Sequence, residues 1–244
     1  MIARLVLLVF TVSLGCTSCK DKPVQAIPDA LVVDTVATKE SGERTRKDLA
    51  RIYGVSITRS GDTLLPRIPK DSIQRFLLAY GKDNLENRVR MNTKHGTIEL
   101  ELFNDMPLER ASFIFLVKHN FFSHSVVHRV VQNFVVQAGN SDNRITAMKR
   151  SSIGNYRLPP NYNPKYKHVR GMLSLAKQWE NNPTDSHDPF EFFISLSTAP
   201  HLNGKHTIFG RVSSGMDVAD LISKEPTDQG DWPLKEVYIE MSVE

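Results

Sequence analysis

Cysteine is nearly absent from this chain of 244 residues: there are two, both in "CTSC", residues 16 to 19. No disulfide framework can tie the rest together. A C-x-x-C pair could serve redox chemistry or supply half a metal site, but those uses need a strand before it and a helix after it, or a second Cys/His pair. Here the motif ends an apolar N-terminal run and opens a polar stretch, so both uses are set aside. Long apolar runs are also lacking. The run from Leu5 to Leu14 falls short of the roughly 20 residues a membrane-spanning helix needs. There is no G-x-S-x-G, no H-E-x-x-H and no P-loop. Charge of one sign does not dominate: 31 Lys and Arg stand against 27 Asp and Glu, for a net +4. No long basic block is present, so nothing argues for a nucleic-acid partner. What is there is ordinary globular composition, 40% hydrophobic, enough for one good-sized core.

The N-terminus "MIARLVLLVFTVSLGC" has one early arginine, a short apolar run, then Gly15-Cys16. It reads as a secretory signal with a small residue before the cut. The cysteine after that glycine resembles the lipobox of bacterial lipoproteins, with Ser13 where the box usually has Leu. The resemblance implies a signal peptide over 1–15 and lipidation of Cys16. The expected location is a bacterial cell envelope, as a membrane-anchored lipoprotein facing the periplasm. Residues 16–50 are polar, with little periodicity, as a tether would be. Residues 51–88 read as a small extension. Within it "VSITRSGDTLL" suggests a hairpin turning at Ser60-Gly61-Asp62. "KDSIQRFLLAYG" suggests a short helix opened by Asp71 or Ser72 and closed by Gly81.

From residue 89 to 244 the pattern sharpens. "GTIELELF" alternates, with Ile98, Leu100 and Leu102 on one face, as a half-buried antiparallel strand does. "MPLERASFIFLVKH" reads as a helix with Pro107 in its first turn. "SVVHRVV" and "FVVQAG" read as strands separated by the turn signal Gln132-Asn133. A long Pro/Asn/Gly-rich loop follows, from 139 to about 167. "RGMLSLA", "FEFFISL" and "HTIFGRV" are further short strands. "GMDVADLISK" is a second helix, and "LKEVYIEMSV" closes as an alternating strand. Many short strands, two helices and no βαβ order predict a mostly β fold, a closed antiparallel barrel. His124 and His128 share a face on a strand as on a helix, but no third ligand is apparent and no metal is expected.

"VVHRVVQNFVVQAG", "RGMLSLA", "FEFFIS" and "LNGKHTIFGRVSSGMDV", in that order, resemble the cyclophilin family of peptidyl-prolyl cis–trans isomerases. The family's Phe-His-Arg-x-x-x-x-Phe-x-x-Gln-Gly-Gly is matched except at the first Phe and one Gly. The resemblance implies an eight-stranded antiparallel barrel capped by two helices, here with an N-terminal extension. It also accounts for the missing catalytic motifs. Rotation about an X-Pro bond breaks no covalent bond, so no nucleophile, acid or base is required; the obstacle is an amide-resonance barrier of about 18–20 kcal/mol.

By the same resemblance the catalytic residues are Arg129, Phe134, Gln137 and His206. Arg129 would be the fixed donor to the twisted bond, and His206 a wall and hydrogen-bonding group rather than a base. Substrate would meet Val135, Ala176, Lys177, Glu191, Phe193, His201 and Leu202. Several of these depart from the family. Val135 replaces a common Met, Lys177 a common Asn and Glu191 a Gln that faces substrate. His201 stands where many members carry the Trp that binds cyclosporin, which implies weak drug sensitivity. In the loop "KQWENNPTDSHDP", Trp179 is either a substrate contact or a packed loop residue. No cofactor is expected. The expected partners are proline-containing unfolded or flexible polypeptides and, through the anchor, the envelope membrane; the chain is read as a monomer. The alternative is a catalytically weak proline-binding module or holdase.

Overall fold

The computed structural model describes residues 56–57, 63–64, 67–68 and 70–244. The signal peptide, the tether, Cys16 and Cys19 lie outside the described residues, as does the turn at Ser60-Gly61-Asp62. Strands β1 (Ser56–Ile57) and β2 (Thr63–Leu64) pair antiparallel, as the hairpin reading expects. A 3-10 turn at Lys70–Ser72 leads into α1 (Ile73–Asp83).

Gly81 does not close α1; the helix runs two residues past it. A Cβ at Gly81 would lie 2.8 Å from the Cβ of Ala111, so glycine is there to let α1 approach α2 (Pro107–Lys118). Arg110, buried on α2, then ties down the end of α1. It donates to the carbonyls of Gly81 at 3.0 Å, Asn84 at 2.9 Å and Glu86 at 3.1 Å. These carbonyls would otherwise lack partners at a helix end. Ile68, Ile73 and Leu77 are buried in the same apolar cluster as the sheet.

Eight strands form one antiparallel sheet: β3 (Arg88–Thr93), β4 (Gly96–Leu102), β5 (Val126–Val131), β6 (Val135–Asn140), β7 (Met172–Ala176), β8 (Asp188–Ser195), β9 (Ile208–Ser214) and β10 (Glu240–Val243). Their spatial order is β10-β3-β4-β9-β7-β8-β6-β5. Ile98, Leu100 and Leu102 are fully buried, as the alternation of β4 requires. Phe113 from α2 fills the concave side, edge-on to Phe192 at 5.4 Å and tilted against Phe209 at 5.3 Å.

Two expectations are corrected. The sheet is an open half-barrel rather than a closed barrel, because no ladder joins its end strands β5 and β10. The C-terminal run divides its bonds: Val237 and Ile239 bond to Val127 and Ser125, whereas residues 240 to 243 pair with β3. One bridge, Val126 to Tyr238, is what remains between the edges. The described residues hold four helices, α1, α2, α3 (Arg144–Ile153) and α4 (Met216–Ile222); α1, α2 and α4 stand where the sequence reads helices, and α3 is added to the two expected to cap the sheet. α3 occupies part of the stretch read as loop. Asn143 caps it by accepting the N–H of Ile145 at 2.8 Å, and Gly154, at φ 103°, ends it. Among the described residues no helix is long and apolar enough to cross a membrane.

Candidate functional site

A second apolar cluster lies apart from the main core: Val135, Phe193, Ala199 and Leu202, with Val131 and Phe134 packed against it. A bulge in β5 puts Arg129 beside it. The β5–β6 ladder shifts register on both sides of Val127, and His128 is left out of the pairing. Val127 and Val130 therefore both face the main core, three apart instead of two. Arg129 and Val131 are turned to the other face. There Arg129 sits opposite Gln137 on β6, and Gln137 opposite Phe193 on β8. Arg129, Gln137 and Phe193 thus make one cross-strand row.

These residues wall a groove of about 470 Å³. Phe134, Val135, Phe193 and Leu202 give it an apolar floor; Arg129 and Gln137 stand on one side, Ala176, Lys177 and His206 on the other. Nine of the eleven residues expected to act on substrate are therefore brought together. Gly139, which follows the Gln-Ala pair, has φ 107°, and a Cβ there would lie 2.1 Å from the carbonyl oxygen of Phe190. Only glycine allows β6 to approach β8 this closely.

Glu191 and His201 are the two exceptions. Glu191 is not in the groove wall. It is enclosed by Arg150 (3.1 Å), Asn140 (2.9 Å), Gln137 (3.2 Å) and His128 (3.4 Å). Burial opposes its charge, but the nearby His128 and Arg150 outweigh it and hold the pKa at about 2. This carboxylate is bound to protein, not offered to a ligand. His201 is exposed and stacks on Phe134 at 5.5 Å, outside the wall.

His206 follows the 3-10 turn Pro200–Leu202. Its Nδ1 lies 3.0 Å from the carbonyl oxygen of Leu175. A carbonyl only accepts, so Nδ1 carries the hydrogen and Nε2 keeps a lone pair. Burial pushes its pKa down to about 4; the bond to Leu175 opposes this, and Lys177 and His168 push further down. Behind it His187 is also lowered to about 4, by burial first and then by His206 and Lys177. Both rings are neutral at ordinary pH.

Lys177 does not present its ammonium to the groove. The side chain is 2% exposed, paired with Asp185, and lies 4.6 Å from the ring centroid of Trp179. Trp179 itself forms part of the groove wall. One partner was missed altogether: Asp231, whose Oδ2 is 3.3 Å from Arg129 Nη2. Asp231 is fixed there because its carbonyl accepts the N–H of Val130 at 2.8 Å. No motif or spacing signals a contact so distant in sequence. Among the described residues no group of three or more His, Cys, Asp or Glu could hold a metal. His128 instead packs near Trp232, with ring centroids 5.7 Å apart.

A family model described as cyclophilin type peptidyl-prolyl cis-trans isomerase/CLD matches residues 88–243. Peptidyl-prolyl cis-trans isomerase-like 1 of Neurospora crassa is 37% identical over 153 residues, covering 62% of this chain and 90% of that one. Isomerase-like 2 of Rhizopus delemar is 34% identical over 162 residues, covering 66% of this chain but only 29% of that longer protein. Among solved structures, a cyclophilin type isomerase of Cryptosporidium parvum, crystallised in the presence of the dipeptide Ala-Pro, superposes with a TM-score of 0.53 at 23% identity. It covers 64% of this chain and 98% of that one.

Proposed function

Because the chain belongs to the cyclophilin-type peptidyl-prolyl cis-trans isomerase family, we propose that its groove binds a proline and catalyses rotation about the preceding peptide bond. The observation that carries this is the row Arg129, Gln137 and Phe193 along an apolar groove. A proline ring fits the floor of Phe134, Val135, Phe193 and Leu202. Held there, the ring stays still while the other side of the bond turns.

Rotation removes amide resonance, so the twisted nitrogen regains a lone pair and the carbonyl is displaced. A donor that bonds this form better than either planar form lowers the barrier. Arg129 is the cation available, and one such preorganised donor is worth about 2.7–4 kcal/mol. Its pair with Asp231 does not remove it from use. Both side chains are about 40% exposed, such pairs contribute about 0–1 kcal/mol, and a guanidinium has five N–H groups. Asp231 orients Arg129 rather than neutralising it. Gln137 donates its Nε2 to Glu191, which leaves Oε1 as acceptor for a substrate N–H. His206, with Nε2 unprotonated, is a second acceptor and cannot act as a general acid above about pH 4.

The test is an isomerisation assay on proline peptides with Arg129→Ala as control. No rate above background, or an unchanged rate in the variant, would overturn the proposal. Peptide binding without exchange between cis and trans signals in NMR would establish a proline-binding module instead.

The apolar N-terminal run and Gly15-Cys16 support a location for this activity. The chain is a lipoprotein anchored through Cys16 to a bacterial envelope membrane, and assists folding of exported proteins at the end of its tether. Mass spectrometry of the mature N-terminus should find a diacylglyceryl group on Cys16; an intact Met1 would overturn this.

A further inference from the structure

Trp179 stands in the groove wall with 64% of its surface exposed. A singly exposed apolar side chain is unremarkable by itself. This one is braced. The Lys177 ammonium lies 4.6 Å from its ring centroid, and the edge of His206 meets it at 5.4 Å and 78°. Lys177 is paired with Asp185, and Asp185 also accepts the hydroxyl of Tyr162. That hydroxyl lies 3.2 Å from the carbonyl of Lys205, next to His206. The loop is closed on itself as well: the side chain of Asn182 donates to the carbonyls of Gln178 at 2.9 Å and Ser186 at 2.8 Å. The indole is therefore fixed in position while most of it remains uncovered.

We propose that Trp179 is a specificity-determining residue, forming an aromatic subsite at the groove mouth for an apolar or aromatic residue flanking the bound proline. The inference rests on the isomerase reading and names what that reading leaves open. With the proline ring on the floor of Phe134, Val135, Phe193 and Leu202, a neighbouring side chain finds its contact elsewhere along the groove wall. On the side of the groove formed by Ala176, Lys177 and His206, the exposed aromatic surface is that of Trp179. Because the cation beneath the ring is already paired with Asp185, the subsite favours uncharged side chains over acidic ones.

The test uses the full chain and peptides with Ala, Leu, Phe or Glu on either side of the proline. The expected wild-type kcat/KM for Phe exceeds that for Ala at one flank by about 3- to 10-fold, the range of an aromatic contact. Trp179→Ala should bring this ratio close to one, and Trp179→Phe should retain most of it. The chain has two tryptophans, so the emission change on titrating the Phe peptide should be present in wild type and largely lost in Trp179→Phe. A ratio unchanged in Trp179→Ala, or no flank preference in wild type, overturns the subsite. Absence of turnover on every peptide overturns the isomerase reading alone; the titration then decides on Trp179, and emission that does not move counts against it.

Discussion

Arg129 is the residue on which the most depends. Arg129→Ala should lower kcat/KM by about 10²- to 10³-fold, the cost of losing one preorganised donor, with little change in thermal stability because the side chain is 39% exposed. Asp231→Asn keeps the shape and removes the charge. It should cost less, within about tenfold, and kcat/KM in the wild type should fall with rising salt more than in the variant. The histidines give a pH prediction with a definite sign. The folded pKa of His206 and of His187 is about 4, against 6.5 in an unperturbed chain. Between those values the unfolded chain binds protons that the folded chain does not. Their contribution to stability is therefore whole above about pH 6.5 and is lost as pH falls towards 4. Glu109 and Asp188, whose carboxyls burial pushes up, act in the opposite sense. Comparing wild type with His206→Gln by urea unfolding isolates one term: the variant's stability should depend less on pH between 4.5 and 6, by about one proton. Activity, needing no proton transfer, should be nearly flat from pH 6 to 8.

At the scale of elements, α1 and α2 approach closely at Gly81. In an exposed helix Gly→Ala stabilises by up to about 1 kcal/mol. At Gly81 the new Cβ would meet that of Ala111 at 2.8 Å, and overpacking costs about 1–3 kcal/mol. The contact outweighs the propensity, so Gly81→Ala should lower the unfolding midpoint. A double-mutant cycle with Ala111→Gly should show favourable coupling between the two changes, and additivity would contradict the account. The bulge in β5 has the same character. Strict alternation along "VVHRVV" would put Arg129 and Val127 on one face. The extra residue at His128 separates them, sending Val127 to the core and Arg129 to the groove.

For the whole molecule, the family match begins at residue 88, yet the core does not. Ile68, Ile73 and Leu77 are buried with the sheet, at roughly 1.5–3 kcal/mol each. Arg110 takes its three carbonyl partners from residues 81 to 86. A chain shortened to begin at residue 88 should therefore melt well below one that begins at residue 51, since it also leaves a buried cation unpaired. Equal melting temperatures in calorimetry would contradict this. The stretch read as an extension without a role is, over its second half, part of the core.

The sequence by itself determined the strands, with the alternation of "GTIELELF" following from the pleat, and made most of the groove residues legible through a family resemblance, because "VVHRVVQNFVVQAG", "RGMLSLA", "FEFFIS" and "LNGKHTIFGRV" are local patterns that keep their order. It could not show that Asp231 meets Arg129, that Glu191 is bound by Arg150 and His128, or that Lys177 turns away to support Trp179. Each of these contacts joins segments through side chains, and a charged side chain has no partner until the chain has folded. Nor could it separate an open half-barrel from a closed barrel. The alternation of "VYIEMSV" is the same in both, and only the tertiary structure decides which neighbour receives its backbone hydrogen bonds.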